Sequence, residues 1–149
     1  MDMKPGYLLK ITTWENDADN YNTVDFDGLD VNQTNMLIDI AELFESRHSQ
    51  QGFGNSDCSG ANRDLLFSKI DAIIEEYRSK GTVIPEQWDK QNPDFADYMA
   101  GPYADDFYSD PIYDMIGIWR EGELYRVFDD YQVFLVPDQA PQDVTDSFR

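Results

Sequence analysis

With 149 residues, 30 acids against 11 bases, one Cys and one His, the chain carries a formal charge of −19 and is expected to form one domain over 1–137 followed by a polar tail at 138–149. The lone Cys excludes an internal disulfide framework and, with the single His, a self-contained zinc site built from Cys and His ligands. The same charge disfavours direct contact with nucleic acid or an anionic membrane and favours a basic protein partner.

The opening run YLLKITTW, Tyr7 to Trp14, is β-branched and aromatic and predicts a strand with Tyr7, Leu9 and Ile11 on one face. An Asp- and Asn-rich stretch follows, in which VDF can pair as a brief second strand. Asp30 with Gln33 three residues on forms a capping-box pattern, so the first helix starts there. Leu37, Ile40, Ala41 and Phe44 give that helix its apolar face, and Arg47 suits its last turn. Residues 48–61 are polar and glycine-rich and read as a loop. Leu66, Ile70, Ile73 and Tyr77 define a second helix that stops at Gly81. From Pro85 to Pro111 the chain is proline-punctuated, with a short helix near Phe95–Met99 and otherwise loop.

MIGIWR, LYRVF and YQVFLV, separated by Glu121–Gly122 and Asp129–Asp130, read as a three-stranded meander of hairpins. The tail after Pro137 is polar and expected to fray. The expected fold is therefore α+β, an antiparallel sheet of the N-terminal strand and the C-terminal meander, covered on one face by two amphipathic helices. No apolar run reaches the roughly 20 residues of a membrane span. The segment MDMKPGYLLKIT has no basic stretch followed by an apolar one, so a cytoplasmic location without membrane association is expected.

Cys58 and His48 share the glycine-rich loop, where a thiolate–imidazole contact would make a small enzyme, but no surrounding motif supports it. Counting a calcium loop from Asp17 puts Asn22 where Gly belongs and Gly28 where the bidentate Glu belongs; Asp17, Asp19, Asp25 and Asp27 are read instead as solvated turn residues, with no metal and no cofactor expected. Carboxylate pairs such as Glu75–Glu76 arise from the abundance of acids alone, so a glycosidase reading has no distinctive support. Phosphate loops, HExxH and GxGxxG are missing from the sequence. An enzyme is not expected.

The segment from Trp88 to Asp114 interleaves acids with aromatics against a single Lys90. Trp88, Asp94, Asp97, Tyr98, Tyr103, Asp105, Asp106, Phe107, Tyr108 and Asp110 are the candidate partner-binding residues. Aromatics can anchor an interface while a carboxylate field speeds encounter with a basic surface. The alternative arrangement has the aromatics facing the core and the aspartates facing water. Carboxylates set along a surface can also stand in for nucleic-acid phosphates.

The segment KPGYLLKITTWENDADNYNT, residues 4–23, resembles the small acidic early proteins of large tailed bacteriophages. That resemblance implies a host-takeover factor, acting in the bacterial cytoplasm, that binds and disables a bacterial protein. Size, acidity and the α+β reading also look like toxin-immunity proteins, which neutralise a basic nuclease by covering it. The expected function is a non-enzymatic inhibitor of a basic partner, a nuclease or another nucleic-acid-binding protein, acting by occupying its surface.

Overall fold

The computed structural model describes residues 5–15, 20–44, 60–102, 104, 107–116, 126–136 and 142–148. Strand β1, Gly6–Glu15, lies between β2, Asn20–Leu29, and β3, Arg126–Val136, and pairs antiparallel with both. A two-residue strand β4, Gln142–Asp143, completes the sheet order β2-β1-β3-β4. Alternation along β1 sends Leu9, Ile11 and Thr13 into the interior, while Lys10, Thr12 and Trp14 point to the other, more accessible face. Lys10 meets Asp25 on that outer face at 3.4 Å, and Trp14 packs against Tyr21 with ring centroids 4.7 Å apart. Strand β2 forms one border of the sheet and carries Asp25 and Asp27 exposed to water.

Two irregularities adjust the ladder. Between Tyr7 and Leu9 of β1 the partners on β2 jump from Leu29 to Phe26, and Gly28 in that bulge takes φ 65°, a left-handed conformation that glycine adopts without steric cost. On the other side, Thr12 pairs with Asp130 and Thr13 with Phe128, leaving Asp129 as the extra residue of β3.

Helix α1, Val31–Glu42, opens with the expected capping box: Gln33 N–H donates to Asp30 Oδ1 at 2.7 Å and Asp30 N–H donates to Gln33 Oε1 at 3.0 Å. Its Leu37, Ile40 and Ala41, and Phe44 just beyond it, are buried against sheet and helix partners. Helix α2, Gly60–Ser79, packs on α1 through Leu66, Ile70, Ile74 and Tyr77, with Ile73 partly buried beside them. The Tyr77 hydroxyl donates to Asp39 of α1 at 2.7 Å. Gly81 ends the helical path at φ 88°, with Thr82 N–H reaching back to Tyr77 O at 3.1 Å. Short turns of 3-10 helix at Glu86–Trp88 and Pro93–Phe95 lead into α3, Ala96–Ala100, and α4, Ser109–Ile116, closes the helical layer against β2 and β3.

The chain is thus an α+β domain with an open antiparallel sheet and helices on one face, as its sequence predicts. Four details differ. The Asp- and Asn-rich stretch, expected as a turn with a brief strand at VDF, forms the ten-residue strand β2, so Asp25 and Asp27 are strand and not turn residues. The C-terminal meander is not formed as expected: Met115 and Ile116 are the last residues of α4, and LYRVF and YQVFLV do not fold back on each other, because Asp129 and Asp130 sit inside one continuous strand. The two acids fill a bulge instead of a turn, which lets both remain exposed while Tyr131 and Val133 reach the core. The turn expected at Gly122, Ile118 of the first meander strand, Arg47 and the 48–59 part of the loop lie outside the described residues. The helical cover includes α4 in addition to the two helices expected, while α3 is the short helix expected near Phe95–Met99. Within the tail expected to fray, residues 142–148 are ordered onto the sheet: Thr145 is buried, and its hydroxyl accepts from Val133 N–H at 2.9 Å.

Candidate functional site

The acidic and aromatic segment separates into an inner and an outer set. Trp88, Phe107 and Tyr108 face inward, at 0%, 5% and 1% exposure, so these three pack in the core instead of standing on the surface as anchors, with Phe107 reaching only the floor of a cleft described below. The physical reason is the helical turn: Glu86–Trp88 packs on α4, and Phe107 and Tyr108 lead directly into its buried Ile112, Met115 and Ile116 stripe. Their rings interlock, with Phe107 edge-on to Phe95, Tyr98 and Tyr108 at 5.2, 5.9 and 5.4 Å.

The outer set is Asp94, Asp97, Tyr98 and Asp110, all exposed. Tyr103, Asp105 and Asp106 lie outside the described residues, as do Cys58, His48, Asp17 and Asp19. Asn92 caps the turn that carries Asp94, accepting from its N–H at 2.9 Å, and Asp97 falls in the first turn of α3. Asp110 falls in the first turn of α4, where the positive end of the helix favours a carboxylate. Asp94, Asp97, Asp110 and Asp114 make no ion pair among the described residues.

Basic side chains of this region are held internally. Lys90 binds Asp71 of α2 at 3.2 Å and sits 4.5 Å from the centroid of Tyr108, whose hydroxyl donates to the same carboxylate. Burial first, and the hydrogen bond to Asp71 second, push the Tyr108 hydroxyl well above the ordinary tyrosine range. Arg78 bridges Asp89 at 2.8 Å and Glu75 at 3.3 Å, and these bonds raise its already high pKa further against the opposing effect of burial. Arg63 lies over Phe67 at 5.0 Å.

Between inner and outer sets runs a cleft of about 240 Å³ whose described lining is Gln87, Phe95, Tyr98, Phe107, Asp110 and Pro111. Tyr98 closes one wall, its hydroxyl raised in pKa by partial burial and then by Asp110, with Arg63 acting in the opposite sense. Tyr98, Phe107 and Asp110 are among the candidate partner-binding residues of the sequence and Phe95 is one of the aromatics interleaved with its acids, whereas Gln87 and Pro111 carry no sequence signal for the cleft. A larger cleft of about 490 Å³ lies elsewhere, between β3 and the C-terminal turn, with Asp130, Asp143 and Asp146 among its lining residues. Among the described residues no group of three or more Cys, His, Asp or Glu side chains is arranged to hold a metal ion, and no helix is long and apolar enough to cross a membrane.

The class defined by this architecture is an α+β domain with a small aromatic cleft under an acidic rim. No protein-family model, curated protein or solved structure matches the chain.

Proposed function

We propose that this chain is a non-enzymatic acidic binding protein that inhibits a basic partner, a nuclease or another nucleic-acid-acting protein, by occupying its surface. The observation that carries the reading is the asymmetry of compensation: Lys10, Arg78, Lys80 and Lys90 are each bound to carboxylates of the chain itself, whereas Asp94, Asp97, Asp110 and Asp114 face water without such partners among the described residues. An acid rim of this kind attracts a basic surface at long range, and the neighbouring cleft offers apolar area for short-range contact. A host-takeover role of the kind implied by the phage-protein resemblance agrees with this chemistry.

The test is competition. The partner is isolated by affinity capture on the full chain and then titrated with this protein in the presence of its own nucleic acid. Mutually exclusive binding is expected; a stable ternary complex would refute occlusion of the nucleic-acid surface.

A further inference from the structure

The geometry points to the cleft between α3 and α4 as a receptor for one arginine side chain of the basic partner, with the guanidinium against Tyr98 and Phe95 and paired to Asp110. This inference rests on the binding reading above and sharpens it to a residue type. The cleft joins ring surface from Phe95, Tyr98 and Phe107 to a single carboxylate, and its described lining holds no basic residue. The same chain shows what this combination attracts: Lys90 lies over Tyr108 while bound to Asp71, and Arg63 lies over Phe67. In both places a cation of the protein rests on an aromatic face.

Charge complementarity selects the occupant. The described acids of residues 91–116, Asp94, Asp97, Asp110 and Asp114, are all exposed, and that stretch has no Lys or Arg. Arg63, the base that acts on Tyr98, lies over Phe67 and does not line the cleft, so the rim favours a cation from outside. Arginine suits it better than lysine, because a planar guanidinium is weakly hydrated, stacks on rings and can bind a carboxylate through two parallel N–H donors. An ammonium would lose more hydration on entering walls that are mostly ring and proline. Tyr98 is 36% exposed, so its ring is available at the mouth, whereas Phe107 at 5% can form only the floor.

The probes are capped Gly-Arg-Gly, Gly-Lys-Gly and Gly-citrulline-Gly peptides titrated into the full chain, read by the ring resonances of Tyr98 and Phe95. Citrulline keeps the shape of arginine and removes its charge. The arginine peptide should shift these resonances saturably and bind about tenfold more tightly than the citrulline peptide, with lysine between them. Asp110→Asn should remove the preference for arginine over citrulline, and Tyr98→Ala should weaken all three peptides. Asp94→Asn, an exposed acid that does not line the cleft, should leave the preference in place. Equal binding of the arginine and citrulline peptides, or equal loss in Asp110→Asn and Asp94→Asn, would overturn the assignment. The captured partner measured against the same variants separates the two readings. Unselective peptides with intact partner affinity remove the arginine receptor alone, whereas selective peptides with a ternary partner complex remove the occlusion alone.

Discussion

The Lys90 ammonium stands 3.2 Å from the Asp71 carboxylate, joining the proline-punctuated segment to the middle of α2. Lys90 is the single base between residues 83 and 116, so this contact turns the one positive charge of that segment toward the domain's own helix. Tyr108 adds a second tie to Asp71, and its ring lies beneath the ammonium. One carboxylate thereby fixes two parts of the chain that precede α4.

The tie has a measurable strength. Tyr108→Phe keeps the buried ring and deletes the donor to Asp71, and should lower unfolding stability by about 1–2 kcal/mol in urea titrations. Lys90→Met should cost less, because both charged groups of that pair are partly exposed, and its effect should shrink further in high salt. A loss in Lys90→Met exceeding that in Tyr108→Phe would reverse this ranking.

Alkaline pH acts on the same hydroxyls. Burial and carboxylate partners raise Tyr77 and Tyr108 above the ordinary value of 10.0, so the folded state holds these protons more tightly than the unfolded chain. Their contribution is fully present below that ordinary value and is lost as pH rises above it, since the unfolded tyrosines ionise first. Urea midpoints should therefore fall steeply above about pH 10. The double variant Tyr77→Phe, Tyr108→Phe should flatten that fall while starting from a lower stability at neutral pH.

Inner and outer aromatics should respond differently to truncation. Phe107→Ala removes a buried ring that touches Phe95, Tyr98 and Tyr108 and should cost about 3–5 kcal/mol of stability. Tyr98→Ala should change stability by less than about 1 kcal/mol and alter binding instead. Thermal melts of the two variants, set beside their partner dissociation rates, check the division.

Much of this arrangement was readable in the residues. The capping pair Asp30 and Gln33, the terminator Gly81 and the alternation of Leu9 and Ile11 each reflect a local rule that the folded chain obeys. Helix α4 was hidden because Met115 and Ile116 also begin an alternating run with Ile118, and short apolar runs satisfy both periods. Yet Ile112, Met115 and Ile116 carry helical spacing behind Ser109, Asp110 and Pro111, a usable start signal. Asp129–Asp130 imitated a turn because a bulge depends on the facing strand: only the pairing of Thr12 and Thr13 shows that one extra residue is absorbed. Which aromatics turn inward is likewise decided by α4 packing, beyond the reach of composition.

Association should be governed by the outer acids. The triple variant Asp94→Asn, Asp97→Asn, Asp110→Asn should slow association with the captured partner and reduce its dependence on ionic strength, since attraction between exposed charges is screened beyond about 8 Å at physiological salt. Folding should be preserved, because these side chains are exposed and make no ion pair among the described residues. Stopped-flow rates across a salt series provide the measurement; an unchanged salt slope would place the attraction elsewhere on the chain.

The border strand β2 carries Asp25 and Asp27 two positions apart, both exposed. An outermost strand ordinarily invites edge-to-edge addition by another molecule, the first step toward aggregation. Charged side chains on such an edge make a poor template for an added strand, and the Lys10–Asp25 pair and Asp27 place charge along this border. Surface acidity on an outermost strand therefore acts as a guard against clumping of the folded molecule, in addition to its effect on charge.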